Sequence, residues 1–332
     1  MAKRKEEKEP APLTPPGSLR YFARQFIESM QISNFSEETV RARETYLNLF
    51  FRWCDERSVT ELEQASSSLL ERYQKYVYHY RKDDGEPLSF NSQITRLIHV
   101  KEFFKWCARK KHLPFNPASE IDLPRKETRL PKAVLTIEEV ERVLNSIDLS
   151  SPFGVRDRTI LEVLYSSGIR RMELVNLKLY DVDRSRGVIT IRKGKGRKDR
   201  IVPIGERASY WMEKYIEDVR PDFVVEPDPG NIFLGRLGVP MTVDHLSVTV
   251  REIIEASGIE KTGSCHLFRH TMATLMLESG TDVRMLQELL GHARITTTQI
   301  YTQVSIKKLK EIHTALHPGA KLERRQRKIA DE

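Results

Sequence analysis

The chain has few cysteines, no long apolar run and no acidic surplus, and each absence removes a class of protein. Among 332 residues only Cys54, Cys107 and Cys265 are cysteine, odd in number and widely spaced, which excludes a disulfide framework and suits reduced thiols in a cytoplasmic protein. No apolar stretch approaches the roughly 18 residues of a membrane span, so a transmembrane protein is excluded and no membrane partner is expected. The opening MAKRKEEKEPAPLTPPGS lacks the apolar segment of a secretory signal. No internal repeat is present. What remains is a chain that is 39% hydrophobic and 31% charged, with 55 Lys and Arg against 47 Asp and Glu and a net charge of +8. That length is enough for about two domains, and a modest basic excess suits a polyanionic partner without naming a reaction.

Residues 1–16 mix Lys, Glu and Pro with almost nothing to bury and read as a disordered charged tail. Residues 17–115 read as a helical domain. Asn34 or Ser36 can cap a helix in which Leu47, Phe50, Phe51 and Cys54 share one face, and Leu69, Leu70, Tyr73 and Val77 repeat the pattern. A third helix, SFNSQITRLIHVKEFFKWCARKKH, turns Ile94, Leu97 and Ile98 inward and sets Lys101, Lys105 and Arg109 four apart along another face. That basic edge is either a solvated face or a set of DNA-backbone contacts. The segment 116–133 is rich in Pro, Lys and Arg and reads as an extended interdomain linker.

A second domain is expected over 134–318. Thr136 and Glu139 form a capping box, and DRTILEVLYSSGIRRMELVNL gives a long apolar helix, a Ser-Ser-Gly break and another helix. GVITIRK and RIVPI flank Gly194-Lys195-Gly196 as a β-hairpin, helices return near 206–219, 242–257 and 266–279, and 319–332 is a basic charged tail. The fold class is therefore mainly α with a small β-hairpin or sheet.

The densest chemistry lies in SCHLFRHTMATLMLESGTDVRMLQELLGHARITTTQIYTQV. His266 and Arg269 are three apart on a helix, beside a stripe of Phe268, Met272, Leu275 and Met276. Thr281 can cap the next helix, Val283, Leu286, Leu289 and Leu290 face inward, and Gly291 stops it just before His292. Tyr301 follows nine residues later. Each feature alone has a structural account. A zinc site through His266, His270 and His292 is disfavoured, because HLFRH lacks the glutamate of H-E-x-x-H and Arg269 would oppose a cation. A P-loop fails on spacing, and Cys265 and His270 read as structural.

Arg in SGIRRMEL, Lys in GKGRKDR, HLFRH, LLGH and a following Tyr, in that order, resemble the tyrosine site-specific recombinases (phage integrase family), most closely the Xer branch. The resemblance covers roughly residues 17–318. It implies an N-terminal helical core-binding (SAM-like) domain and a C-terminal mixed α/β catalytic domain, closing around duplex DNA. It places the catalytic set on Arg170, Lys195, His266, Arg269, His292 and the nucleophile Tyr301. Arg171 is the alternative to Arg170, Lys193 and Lys198 are alternatives to Lys195, and Glu173 is a supporting residue that orients an arginine.

The chemistry suits these residue types. A tyrosine with pKa near 10 needs cations and a proton acceptor to attack a phosphodiester at neutral pH. Two guanidinium forks can stabilise the charge that develops on the phosphoryl oxygens, and a lysine can protonate the leaving 5′ oxygen. No ATP, metal or other cofactor is required. The resemblance further implies strand cleavage and rejoining through a 3′-phosphotyrosine and a Holliday junction. The partners would be a double-stranded recombination site and, in a tetramer, other copies or a second related recombinase. The apolar stripe Ile306, Leu309, Ile312 and Leu316 would dock on a neighbouring subunit. Chromosome partition or movement of a mobile element would both fit. Type IB topoisomerase-like relaxation and a non-enzymatic DNA-binding regulator are the alternatives.

Overall fold

The computed structural model describes residues 15–125, 134–192 and 199–291. Two compact units are present, one ending at Arg129 and the other beginning at Leu130. Each has its own hydrophobic core.

Among the described residues the first unit holds four α-helices: α1 (Leu19–Ile32), α2 (Glu37–Asp55), α3 (Ser67–His79) and α4 (Phe90–Arg109). Every one starts on a serine. The hydroxyls of Ser18, Ser36, Ser66 and Ser89 each accept a backbone N–H of the first turn at 3.2 Å, removing one orphaned donor per helix. Such caps contribute about 1 kcal/mol each. The inward faces meet in an aromatic core: Phe50 lies edge-on to Tyr73 with centroids 4.8 Å apart, and Phe103 and Phe104 are wholly buried beside it. Leu47, Phe50, Phe51, Cys54, Leu69, Leu70, Tyr73 and Val77 are all buried, as their spacing predicts. Ile98 departs from expectation and is exposed, because it sits one position round the helix from Leu97, which takes the core-facing place. Ala118 and Ile121 are also buried in this core and Leu123 packs partly buried against it, so packing continues past Phe115 into the proline-rich stretch.

The second unit is built round α6 (Pro152–Ser167), whose buried positions run round most of its surface. It packs with α5 (Ile137–Asn145), α8 (Glu206–Lys214), α9 (Val243–Ala256) and α10 (Cys265–Glu278). The capping box of α5 forms as expected, Thr136 and Glu139 each accepting the other's backbone N–H. Thr271 on α10 accepts the Leu135 N–H at 3.0 Å, fastening the start of the unit to its centre. Two short helices complete the part that matters for function: α7 (Arg171–Val175) and α11 (Val283–Leu290). Asp282, one residue beyond Thr281, caps α11 by accepting the Arg284 N–H at 2.7 Å.

The sheet is antiparallel, in the order β1 (Val182–Asp183), β2 (Val188–Ile191), β3 (Arg200–Pro203). Ile189 pairs with Val202 and Ile191 with Arg200, so Ile189, Ile191 and Val202 face the core while Ile201 faces outward. The hairpin is the one expected; β1 adds a third strand too short to show a period in sequence. No helix among the described residues is long and apolar enough to cross a membrane.

Candidate active site

Gly168 ends α6 in the left-handed conformation, with φ +59. The turn releases Arg170 in an extended conformation at the N-terminus of α7. Glu173, one turn on, accepts the Arg170 backbone N–H at 2.8 Å and its Nη1 at 3.0 Å. Both Glu173 oxygens also receive the fork of Arg200, at the start of β3, through Nη1 at 2.9 Å and Nη2 at 2.8 Å. Burial alone would raise the Glu173 carboxyl. The hydrogen bonds from Arg200 and from the Arg170 backbone, with the charges of both guanidinium groups, hold it below the ordinary carboxylate range.

Three guanidinium groups from three elements converge on the carbonyl end of α11. Arg200 Nε donates to Leu289 O at 3.3 Å, Arg269 Nη2 to Leu290 O at 2.7 Å and Arg170 Nη2 to Gly291 O at 3.0 Å. Cations suit this end of a helix, where the last carbonyls have no intrahelical partner. Arg269 is buried and also donates Nη1 to the Gly168 carbonyl. Gly291 follows in the left-handed conformation (φ +62), and a Cβ there would lie 2.9 Å from the Arg200 guanidinium carbon.

Arg170 has five N–H donors on its guanidinium. Two are engaged, by Glu173 Oε1 and Gly291 O, which leaves three for a ligand. Its neighbour Arg171 turns elsewhere, donating Nη1 to Ser247 Oγ on α9 at 3.0 Å. His266 is exposed on the first turn of α10 and lines, with His270, Arg251 and Ser264, an open cleft of about 650 Å³. Partial loss of hydration, then the like charges of Arg171, Arg269 and Arg170, lower its imidazole below the usual histidine range. Uncharged at neutral pH, it can accept a proton. Cys265 beside it is buried and its thiol is pushed up by burial to about 11, so it stays protonated.

This turn-and-carbonyl cluster sits inside a match to the family described as "Phage integrase family", which spans residues 133–308. The first unit matches "Phage integrase, N-terminal SAM-like domain" over residues 23–111. The chain is 46% identical over 312 residues to the tyrosine recombinase XerC 2 of Ralstonia nicotianae, covering 94% of this chain and 89% of that one. The chain belongs to the phage integrase family of tyrosine recombinases. This recombinase is also 37% identical over 289 residues to the tyrosine recombinase XerD of Listeria innocua, covering 86% of this chain and 94% of that one. Among solved structures, it is similar to the XerH site-specific recombinase bound to difH substrate in a pre-cleavage complex. The TM-score is 0.59 at 26% identity, over 76% of this chain and 71% of that one.

In this recombinase the structure brings Arg170, Glu173 and Arg269 together at one helix end, with His266 on the same unit's surface. Lys195 with its alternatives Lys193 and Lys198, His292, Tyr301 and the stripe from Ile306 to Leu316 lie outside the described residues. So do residues 1–14 of the N-terminal tail, the linker segment 126–133 and the tail 319–332. The root of the hairpin is nevertheless defined on both sides: Arg192 donates Nε to Asp181 at 2.6 Å, and Arg200 holds Glu173. Sequence reasoning missed Arg200 and Asp181. On the first unit, Lys105 and Arg109 are exposed, whereas half-buried Lys101 is tied to its own backbone, donating Nζ to Ile121 O and, at 3.4 Å, to Ser119 O.

Proposed function

We propose that this recombinase cuts and rejoins duplex DNA at a specific site through a covalent tyrosyl intermediate, exchanging strands between two sites. The observation that carries the reading is the half-committed guanidinium of Arg170, anchored on one side by Glu173 and Gly291 with three donors left for a phosphate. In the proposed step the Tyr301 oxygen attacks the scissile phosphorus, its proton passing to a base, for which neutral His266 is one candidate and His292 the other. Arg170 and Arg269 stabilise the extra negative charge on the phosphoryl oxygens more than they stabilise the ground state. Lys195 gives a proton to the departing 5′ oxygen, which otherwise leaves as a poor alkoxide. The products are a 3′-phosphotyrosine and a free 5′-hydroxyl. Attack of a 5′-hydroxyl from a second site reverses the chemistry, and two such exchanges pass through a Holliday junction.

The proposed assembly is a tetramer on two recombination sites, built of this chain alone or with a related recombinase, in the cytoplasm. XerH's capture on its difH substrate supports a DNA duplex as the partner. Lys105 and Arg109 are the proposed backbone contacts of the N-terminal domain, with Lys101 in a lesser part.

The test uses a duplex nicked close to the scissile phosphate, so that the short cleaved strand diffuses away and traps the adduct. A protein–DNA adduct in wild type that vanishes in Tyr301→Phe supports the proposal, and no adduct in wild type refutes it. The topoisomerase reading shares this cleavage. Recombinant product or a four-way junction from two linear sites upholds recombination, whereas relaxation of supercoils with neither species would favour the topoisomerase.

A further inference from the structure

Arg200 is absent from the set of residues assigned to the reaction, yet its side chain makes three polar contacts in the site. Three of its five N–H groups are spent on protein: two on Glu173 and one on Leu289 O. Its side chain is 14% exposed and that of Glu173 is 7% exposed, against 22% for Arg170. Arg200 is therefore less open to solvent than Arg170, and both of its terminal nitrogens are already committed to the Glu173 carboxylate. We propose that Arg200 is a positioning residue that fixes the reach of Arg170 by holding both the carboxylate and the helix end on which Arg170 rests. The proposal rests on the assignment of Arg170 to the scissile phosphate.

The geometry supplies the reason. Glu173 has two oxygens and two arginine partners, and Arg200 takes both oxygens in a bidentate fork, leaving Arg170 one side-chain bond to Oε1. That sharing ration keeps Arg170 from a bidentate embrace of its own. With Arg200 gone, the carboxylate is free to turn toward Arg170 and engage a second guanidinium nitrogen, withdrawing a donor from the phosphate. At the same time Leu289 O loses its donor, and the left-handed turn at Gly291, against which the Arg200 guanidinium lies, loses its backing. Gly291 O is the other anchor of Arg170, so both of its supports slacken together. A lysine at 200 keeps the charge but has no planar fork and cannot hold two carboxylate oxygens and a carbonyl in fixed directions. The register of β3 adds to this: Arg200 pairs with Ile191 across the hairpin, so the fork is delivered from a strand rather than a loop.

The experiment is single-turnover cleavage of the nicked duplex at varied DNA concentration, with Arg200→Lys, Arg200→Met, Arg170→Lys and the double variant Arg170→Lys/Arg200→Lys. The expected result is a cleavage rate constant at saturating DNA about 10-fold lower in Arg200→Lys and about 100-fold lower in Arg200→Met, with the half-saturating DNA concentration within about threefold of wild type. Because Arg200 acts through Arg170, the double variant should lose far less than the product of the single losses. Arg200→Met breaks a buried ion pair and can fail to fold; Arg200→Lys, checked by its melting temperature and near-ultraviolet circular dichroism, then carries the test alone. A folded Arg200→Lys with the wild-type rate constant overturns the proposal. So does a loss confined to the half-saturating concentration, which would make Arg200 a DNA contact, or a double variant showing the full product of losses. An active wild type whose Arg170→Lys variant cleaves normally would instead overturn the assignment of Arg170.

Discussion

Replacing Gly168 with alanine tests how tightly the turn before Arg170 is built. Two costs are separable. The first is conformational: at φ +59 an L-residue is disfavoured by about 1–2 kcal/mol. The second is steric, because the new Cβ would lie 2.0 Å from the Met272 methyl and 3.1 Å from Leu290 Cδ2. A methionine methyl in open space would swing aside at little cost. Met272 is buried at 4% exposure in a small cluster with Leu277, Leu286 and Leu290, so it has nowhere empty to go, and overpacking costs about 1–2 kcal/mol here. Gly258 is the internal control: its φ is +69 and nothing lies within 4 Å of a Cβ built there, so Gly258→Ala carries only the first cost. Urea denaturation should therefore show Gly168→Ala less stable than wild type by about 2–4 kcal/mol and Gly258→Ala by about 1–2. Met272→Ala costs about 2–5 kcal/mol alone, but combined with Gly168→Ala it removes the obstructing methyl, so the pair should fall short of the sum by about 1 kcal/mol or more. Equal losses at Gly168 and Gly258, or strict additivity with Met272, would refute the steric account.

Three further perturbations follow from charge and burial. His99 stacks on Tyr46 with centroids 4.6 Å apart, and burial followed by the charge of Arg43 lowers its pKa to about 4. An unfolded histidine near 6.5 binds its proton first, so stability is lost as pH falls from 6.5 toward 4, by at most about 3 kcal/mol; His99→Phe should flatten that slope in urea titrations, and an unchanged slope would exclude His99 as its source. For His266, whose pKa is lowered, the imidazole proton signals should titrate below 6.5 in the free protein and shift upward in Arg171→Gln, which removes a like charge; a midpoint at 6.5 in both proteins would contradict the electrostatics. Finally, Lys105→Gln/Arg109→Gln should reduce the slope of log affinity against log salt by about 2 on duplex DNA, while Lys101→Gln should lower the melting temperature and leave that slope nearly unchanged, the reverse pattern arguing against its backbone bonds.

Periodicity carried the helices because burial in α2 and α3 repeats strictly at helical spacing, from Leu47 to Cys54 and from Leu69 to Val77. It failed where two neighbouring apolar residues compete for one inward direction, as Leu97 and Ile98 do, and where composition spoke of a linker although Ala118 and Ile121 needed only a small share of core. Arg170, Glu173, His266 and Arg269 can be singled out in the sequence as candidates because short motifs carry them. Arg200 was not, since its meaning lies in a carboxylate 27 positions away in sequence, and no local pattern joins a strand's first residue to a helix's first turn. Asp282 rather than Thr281 as the cap of α11 is a smaller case: two adjacent residues of capping type differ only in which one the preceding turn leaves extended.

The three carbonyls at the end of α11 have a consequence for how this recombinase can vary. Each residue of an α-helix advances its carbonyl by about 100° and 1.5 Å. Leu289, Leu290 and Gly291 each meet a different arginine, rooted respectively in a strand, a helix and a turn. Inserting or deleting one residue inside α11 would rotate all three carbonyls away from their donors at once, a mismatch that no single compensating substitution could repair. Length changes are tolerable only upstream, in the turn before Asp282. The segment thus behaves like a keyed shaft, free to be resurfaced along its exposed side yet indexed at its tip.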